Sequence, residues 1–383
     1  MAPTLWTNHF MRICLANLLM FISLYVMFPV LPLEMAGRLG VPVTQTGIMF
    51  LFFTLGMFLI GPFHAYLIDA YKRKFVCIFS LAAMMAATVG YAFVSSLTEL
   101  LLLSTAQGVA FGLATTAGIT LAIDVTGSTL RSVGNISLSW ITRFGMIAGV
   151  ALGIWFYQTY GFRDSLYLSI TVGSIGILSA WGVYVPFRAP IVTKLYSLDR
   201  FLLPRAWLPS LNLILIAFIP GLLIASVHPY LNSCILGGIG RPLPFFLGIG
   251  VGFLSSLLLF RMLRLKDKTL RTVIMGISLL VIGMVMLMPC IPMLVPAVIL
   301  GLGLGLAIPE FLLIFVKLSE HCQRGTANTT HLLCCEIGFS LGMATSCVVD
   351  MDQLVLIGQL ASGASLLFFL LLTYPYFLKM KIR

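Results

Sequence analysis

Charge is what this sequence has least of. Only 9% of its 383 residues are Asp, Glu, Lys or Arg, whereas 60% are hydrophobic. Soluble domains carry about 25% charged residues, so this chain has too few charges to cover a surface in contact with water. Its apolar stretches are roughly 20 residues long, which is enough to cross a bilayer as a helix. The composition therefore argues against a soluble protein and predicts one with several membrane spans.

The signatures of several kinds of site are also absent. None of the eight cysteines belongs to a Cys-x-x-Cys pair, which argues against a zinc site and a disulfide framework. The sequence contains no Walker loop, so ATP hydrolysis by this chain is not expected. The five histidines are scattered, which weighs against a membrane-embedded enzyme with clustered catalytic groups. We therefore expect no cofactor, no metal ion and no enzymatic activity.

The apolar runs are continuous rather than alternating, which favours helices over a β-barrel. The fold class that we predict is an all-α polytopic membrane protein with twelve transmembrane helices. The longest linker, 188–206, separates a first six-helix bundle, 1–187, from a second one, 207–383. The predicted spans are 11–35, 45–67, 75–95, 99–123, 136–158, 165–186, 207–230, 243–263, 272–289, 291–316, 327–348 and 354–377.

The basic residues, which give a formal net charge of +11, are distributed unevenly among the predicted loops. Nineteen of the 23 Lys and Arg residues fall at the two termini or in even-numbered loops. The odd-numbered loops hold only Arg38, Arg163 and Arg241, and Arg143 lies within a span. The positive-inside rule then places both termini in the cytoplasm. The charge therefore predicts a multi-pass protein of the cytoplasmic (inner) membrane that contacts anionic lipid, not nucleic acid.

Two parts of the chain repeat each other at an offset of 193 residues. RSVGNISLSWITRFGMIAGVALG at 131–153 aligns without a gap with RGTANTTHLLCCEIGFSLGMATS at 324–346, so that Asn135 matches Asn328. QGVAFGLA in the fourth predicted span aligns with LGLGLGLA in the tenth at the same offset. Six spans is an even number, so both halves have the same orientation. We therefore predict two parallel six-helix pseudo-repeats.

Twelve helices in two parallel halves, with a basic central loop and cytoplasmic termini, resemble the major facilitator superfamily of transporters, bacterial type. That family carries G-x-x-x-D-x-x-G-R-[RK] in the loop after its second helix. Here the stretch reads AYLIDAYKRK, in which Asp69, Arg73 and Lys74 match, while Ala65 and Lys72 replace glycines. STAQG in the fourth span and GMIAGV in the fifth are partial matches to two further family motifs. The resemblance covers essentially the whole chain.

The resemblance implies a secondary active transporter that alternates access to a central site for a small organic molecule. The fifth-span glycines resemble those of export branches and favour proton-coupled efflux by antiport, with proton-coupled uptake by symport as the alternative. A membrane-embedded enzyme and a transport-inactive sensor are the other classes considered. We expect the chain to act as a monomer whose partners are protons, a small-molecule substrate and membrane lipid.

The resemblance also implies a cytoplasmic gate near the start of the eleventh helix. Its predicted members are Asp69, Arg73 and Lys74, together with Arg131 and Arg324 at the repeat-equivalent loop positions. A helix N-terminus attracts negative charge, which gives Asp69 a role that the positive-inside rule does not explain. On this basis Asp69→Asn is expected to leave insertion intact and to impair transport by destabilising the outward-open state.

Three charged residues fall inside predicted spans, where a charge is costly and usually functional. Arg143 and Glu336 occupy repeat-equivalent positions, two residues before Gly145 and Gly338. They therefore point roughly 200° away from a face of small residues suited to close helix packing. The two charges either meet across the pseudo-twofold axis or face the cavity separately. The third charged residue, Glu310, follows a proline in the tenth span.

The functional hypothesis for these charges is proton coupling. Glu336 would accept a proton, and Arg143 would bind an anionic group or compete with the proton for Glu336. The alternative is a structural ion pair that locks one state. Glu310 is a second proton-site candidate, and its alternative is a place at the cytoplasmic interface or a pairing with Lys317.

Polar residues of the first and seventh spans are further candidates for the substrate cavity. Asn17 and Asn212 bind either substrate or a neighbouring helix. Tyr25 is a cavity candidate whose alternative is aromatic packing. His228 lies beside a proline and either senses external pH or is a polar interface residue.

Overall fold

The computed structural model describes residues 4–185, 194–225, 242–263, 265, 268–287, 292–320 and 323–382. Within these residues the regular structure is helical, without a strand, and nine helices are long and apolar enough to cross a membrane. This confirms the predicted all-α polytopic fold. The count of twelve spans stays a prediction, because one further helix is short and two others are more polar.

The helices of the first half follow the predicted spans, with a break in the first span and another at 47–48 in the second. Predicted span 11–35 is interrupted after Met27, because Pro29 and Pro32 lack the N–H groups that a continuous helix requires. Thr7 caps the first helix through its side-chain oxygen. The helices are α1 (Asn8–Met27), α2 (Leu31–Leu39), α3 (Val43–Thr46), α4 (Met49–Ala70), α5 (Arg73–Gly90), α6 (Leu97–Asp124), α7 (Arg131–Tyr160) and α8 (Phe162–Trp181).

The second half has a matching series of helices. Its last helix passes through a π-helical turn, Phe369–Thr373. The start of the predicted central loop lies outside the described residues, so the division into bundles at 188–206 stays a prediction. The helices are α9 (Trp207–Ala225), α10 (Pro242–Met262), α11 (Thr269–Val285), α12 (Leu294–Leu318), α13 (Arg324–Ser346), α14 (Met351–Phe368) and α15 (Tyr374–Ile382).

Both halves use the same helix pairings. In the first half α1 packs on α7 and α8, and α6 packs on α4 and α5. In the second half α9 packs on α13 and α14, and α12 packs on α10 and α11. Between the halves α4 meets α13 and α7 meets α10, which is again one pairing and its repeat equivalent. The packing therefore has the two-half symmetry that the offset of 193 residues predicts.

Glycines let the paired helices approach each other closely. A Cβ added at Gly149 on α7 would lie 2.7 Å from the carbonyl oxygen of Ile22 on α1. A Cβ added at Gly338 on α13 would lie 2.5 Å from the carbonyl oxygen of Ile214 on α9. The backbone of the neighbouring helix thus occupies the space that a side chain would need. The small-residue faces predicted on the fifth and eleventh spans are confirmed.

We expect Gly149→Ala to lower the free energy of unfolding by about 1–3 kcal/mol, because its methyl group forces α7 away from α1. Gly363→Ala on α14 is the matched control, since a Cβ there meets no atom of the described residues within 4 Å. The control should be neutral or stabilise its helix by up to about 1 kcal/mol. Thermal unfolding in detergent measures both, and equal melting temperatures would contradict the close packing.

The helix ends define two sides of the bundle. The basic side is the one that holds Asp69, Arg73 and Arg324, and the opposite side is the one that holds Gly47 and Cys347.

Candidate functional site

A buried ion pair joins the two halves. Nη1 of Arg143 on α7 lies 2.8 Å from Oε1 of Glu336 on α13, and their side chains are 2% and 1% exposed. The hydroxyl of Tyr25 on α1 donates a hydrogen bond of 2.8 Å to Oε2 of the same carboxylate. Of the two arrangements expected from the sequence, the charges therefore meet across the pseudo-twofold axis. Each carboxylate oxygen accepts one hydrogen bond.

Aromatic rings surround the guanidinium of Arg143. Its Cζ lies 5.5 Å from the ring centroid of Phe21 and 5.0 Å from that of Phe339. Such cation–π contacts offset part of the free energy lost when the charge leaves water. Nε of Arg143 is nevertheless buried without a hydrogen-bond partner among the described residues. An unsatisfied buried donor is costly in an ordinary core and is a feature of functional sites.

A pocket lies on the basic side of the ion pair. It contains about 420 Å³ of space between atoms, part of it open to solvent. Asn135 and Asn328 line it. They precede Arg143 and Glu336 by eight residues, about 12 Å along each helix. The pocket thus leads from the basic side towards the buried charges.

The pocket is built around the pseudo-twofold axis, because its lining includes residues from equivalent positions of both halves. Charge breaks this symmetry, since Arg143 is part of the lining and Glu336 is not. The lining therefore includes the positive member of the ion pair and not the negative one. The equivalent pairs in the lining include Asn135 with Asn328, Ile119 with Leu312, and Leu138 with His331.

Asp69 belongs to a chain of ion pairs on the basic side. Its carboxylate lies 3.2 Å from Nη2 of Arg73, and it also contacts the guanidinium of Arg200 in the central linker. Arg73 lies 2.6 Å from the carboxylate of Asp124 at the end of α6. The start of α13 was the expected neighbour of Asp69. Asp69 pairs directly with Arg200, whose neighbour Asp199 accepts a hydrogen bond of 3.4 Å from Thr326 in the first turn of α13. The gate at the start of α13 stays a prediction.

The described part of the linker fills a space between α4 and α13. We call residues 196–206 the linker segment. The amide of Ser197 donates to the carbonyl of Pro62 on α4 at 3.0 Å. The amide of Leu203 donates to Oγ1 of Thr330 on α13 at 2.9 Å. The linker segment therefore bridges the two halves of the bundle.

Phe201 is the buried anchor of the linker segment. It is 3% exposed, and its ring lies where a side chain on Gly61 would be. His64 packs edge-on against the same ring, with 5.9 Å between centroids. Gly61 thus provides the room for an aromatic side chain from the linker, on the face of α4 that looks towards α13.

On the opposite side α4 and α13 contact each other directly. Oγ1 of Thr54 lies 2.6 Å from Oγ of Ser340. A Cβ added at Gly47 would lie 2.5 Å from Cβ of Cys347. The two helices therefore touch on the opposite side and are separated by the linker segment on the basic side.

The family model of the Major Facilitator Superfamily matches residues 13–343. The chain belongs to the major facilitator superfamily. Its membership and its fold support a secondary transporter and confirm a multi-pass membrane protein. No curated protein sequence matches the chain.

Solved structures of several transporters share this superfamily fold. The human organic anion transporter MFSD10 (TETRAN) aligns over 97% of this chain and 99% of its own, with a TM-score of 0.70 and 16% identity. A mutant of the nucleoside transporter NupG covers the same shares, with a TM-score of 0.67 and 13% identity. A mutant of the peptide transporter POT in complex with alafosfalin aligns over 97% of this chain and 95% of its own, with a TM-score of 0.73 and 14% identity. These likenesses establish the fold alone.

The remaining residues predicted for the cavity or the proton site have different surroundings. Asn17 lines the pocket, and its Nδ2 donates to a carbonyl of its own helix at 2.8 Å. Asn212 instead donates to the carbonyl of Ser365 on α14 at 2.9 Å, so it bonds a neighbouring helix. Glu310 is buried on α12 and lies outside the lining that the described residues form. His228 falls outside the described residues.

The remaining predicted gate residues lie on the basic side. Nζ of Lys74 is 5.6 Å from the ring centroid of Trp181. Arg131 and Arg324 are the first residues of α7 and α13. All five predicted gate residues are thus at one side of the bundle.

Several site residues were not among the sequence-based candidates. Asn135 and Asn328 could have been identified from the sequence, because the offset that pairs Arg143 with Glu336 also pairs these two amides. His331, whose Nε2 lies 3.1 Å from the carbonyl oxygen of Ile308, had none beyond its position in a span. The docking of the linker segment was also missed, since no local pattern links it to α4 or α13.

Proposed function

We propose that this chain is a proton-coupled secondary transporter of a small organic molecule, with Glu336 as the coupling carboxylate. The observation that carries the proposal is the buried contact of Glu336 with Arg143 and Tyr25, which ties the two halves together. A proton on Glu336 removes the negative charge that attracts the guanidinium. Alternating access needs the halves to move against each other. Protonation would therefore act on a contact that this motion must change.

The position of the two charges supports symport. Arg143 belongs to the pocket lining and Glu336 does not, so a proton on the carboxylate and an anion beside Arg143 would occupy different places. Both would then be bound in one state, and an inward proton gradient would drive uptake. Antiport is the second candidate, favoured by Gly145 and Gly149 through the resemblance to export branches. It requires proton and substrate to exclude each other.

The basic side is the one that we place in the cytoplasm, together with both termini, because Lys and Arg accumulate in the loops there. The protein would act as a monomer in the cytoplasmic membrane, with lipid around its exposed apolar surface. We assign the cytoplasmic gate to Asp69 and its ion-pair partners Arg73 and Arg200, with the linker segment between α4 and α13. Roles for Lys74, Arg131 and Arg324 in this gate rest on their positions alone.

Transport in liposomes with an imposed pH gradient tests the proposal. Purified protein is reconstituted with a pH-sensitive dye inside, and compounds preselected by thermal shift are added. We expect proton flux that depends on both compound and gradient, entering with the substrate for symport and opposing it for antiport. In Glu336→Gln the proton flux should disappear while exchange of substrate across the membrane continues, because the neutral amide no longer binds the proton.

Glu320→Gln is the matched control, because Glu320 is 52% exposed and pairs with Arg205 at the surface. It should transport like the unmodified protein. The proposal is wrong if no compound produces gradient-dependent flux, or if Glu336→Gln remains coupled to protons. If Glu310→Gln loses proton coupling and Glu336→Gln keeps it, the proton site is assigned to Glu310 on α12.

A further inference from the structure

Two side chains that line the pocket each keep a buried polar atom without a hydrogen-bond partner in the part of the chain that the structure describes. They are Nε of Arg143, a donor, and Oδ1 of Asn328, an acceptor. Arg143 is 1% exposed and Asn328 is 4% exposed. Leaving such atoms unpaired in the folded state is unfavourable. Two orphan atoms of opposite type in one pocket point to a ligand that pairs with both.

The ligand must supply an acceptor for the guanidinium and a donor for the amide. A carboxylate is a suitable acceptor, because charge-assisted bonds to guanidinium are among the strongest hydrogen bonds in proteins. A hydroxyl group is a suitable donor, and it also accepts, so it can bind either end of the Asn328 amide. The chemistry of the pocket therefore favours a carboxylate that carries a hydroxyl group.

The charges near the ion pair set the charge of the ligand. Among the described lining residues, Arg143 is the only Lys, Arg, Asp or Glu. Among the described residues, Arg143, Tyr25 on α1 and Cys335 on α13 interact electrostatically with Glu336, and His331 on α13 interacts with Arg143. With Glu336 ionised, its charge cancels that of the guanidinium. With Glu336 protonated, one positive charge remains, which matches a monoanion and not a dianion.

We propose that the pocket binds a small hydroxymonocarboxylate together with one proton on Glu336. The inference rests on the proposed function, because it uses the same carboxylate and the same guanidinium. The proton comes from solvent and stays on the carboxyl group of Glu336, and the ligand carboxylate accepts a hydrogen bond from Nε of Arg143. No bond in the ligand is made or broken.

Binding to the purified full-length protein tests the proposal by calorimetry. The probes are 2-hydroxypropanoate and 3-hydroxypropanoate, with propanoate lacking the hydroxyl, 2-hydroxypropanamide lacking the charge, and hydroxybutanedioate carrying a second charge. We expect one of the hydroxypropanoates to bind about 10- to 100-fold more tightly than each of the three controls. Because one proton is taken up with each ligand, the affinity should fall by up to about tenfold per pH unit as the pH rises.

Buffers of different ionisation enthalpy count the protons taken up per ligand, and we expect one. Glu336→Gln should bind the hydroxycarboxylate without this uptake and without the pH dependence. Asn328→Ala keeps the ion pair and should lose the preference for the hydroxypropanoate over propanoate. Asn135→Ala at the equivalent position of the other half should retain that preference, whatever its effect on affinity.

Equal affinities for the hydroxypropanoates and propanoate would overturn the proposal. Binding of a hydroxypropanoate without uptake of a proton would also overturn it. Failure of every probe to bind would also overturn it and would assign the two orphan atoms to ordered water. The proposed function fails separately, if no compound of any class gives gradient-dependent flux in liposomes. Proton-coupled flux with a different class of compound would keep the function and reject the hydroxycarboxylate.

Discussion

Arg143→Ala is expected to abolish transport and to lower the free energy of unfolding by about 3–5 kcal/mol. The magnitude follows from removing one partner of a buried pair, which leaves Glu336 charged in an apolar environment. The loss should be largest at high pH, where the isolated carboxyl group is ionised, and smaller at low pH, where a proton can neutralise it. Thermal unfolding in detergent across a pH series measures both features.

A double-mutant cycle separates the interaction energy between Arg143 and Glu336 from the effect of each side chain on its own. Arg143→Met combined with Glu336→Leu removes both charges, and replacing a buried ion pair with apolar residues is commonly neutral or stabilising. We therefore expect the double variant to be more stable than either single variant and still inactive in transport. Strictly additive effects would contradict the ion pair, and an active double variant would reduce the pair to a structural role.

Tyr25→Phe is the conservative control for this cycle. It removes one hydroxyl that donates to Glu336 and leaves the charges in contact. A hydrogen bond to a charged group contributes about 1.5–3 kcal/mol, so its effect on unfolding should be smaller than that of Arg143→Ala. A larger effect would mean that Tyr25, and not the guanidinium, is the main partner of the carboxylate.

Hydropathy and charge are local properties of the sequence, so the structural features that depend on them could be predicted. The apolar runs locate the helices, and the two-half symmetry follows from an offset that is visible in the sequence. The rarity of charge in a span singled out Arg143 and Glu336, but two arrangements of them fitted the pattern equally well. Only the packing of α7 and α13 across the axis decides between contact and separation.

The docking of the linker segment depends on tertiary structure. In the sequence, Phe201 is one aromatic residue in a loop, and Gly61 is one of many small residues in an apolar helix. Their fit exists only because α4 and α13 diverge on the basic side. The resemblance grouped Asp69 with the basic residues that lie on its side of the bundle but could not identify Arg200 as its partner.

Phe201→Ala is expected to release the linker segment from the bundle. Burial decides the magnitude: Phe201 is 3% exposed, and truncating a buried Phe costs about 3–5 kcal/mol. The ion pair of Arg200 with Asp69 contributes less, about 0–1 kcal/mol, because the Arg200 side chain is 59% exposed. Amide exchange at Leu203 should therefore accelerate more than 100-fold in Phe201→Ala and less than tenfold in Arg200→Ala. Phe79→Ala is the matched control, since Phe79 is 71% exposed and lies away from the linker.

Release of the linker segment should also shift the conformational equilibrium. In the state described, α4 and α13 touch on the opposite side, and the linker segment keeps them apart on the basic side. Once Phe201 is removed, these helices can approach each other there and separate at Thr54 and Ser340, so the state open on the opposite side gains population. Asp69→Asn should act in the same direction with a smaller effect, which reverses the sign that the resemblance implied. A membrane-impermeant thiol reagent, located on Cys347 by mass spectrometry, should label Phe201→Ala faster than the unmodified protein. Slower labelling would show that the linker segment supports opening of the opposite side instead of opposing it.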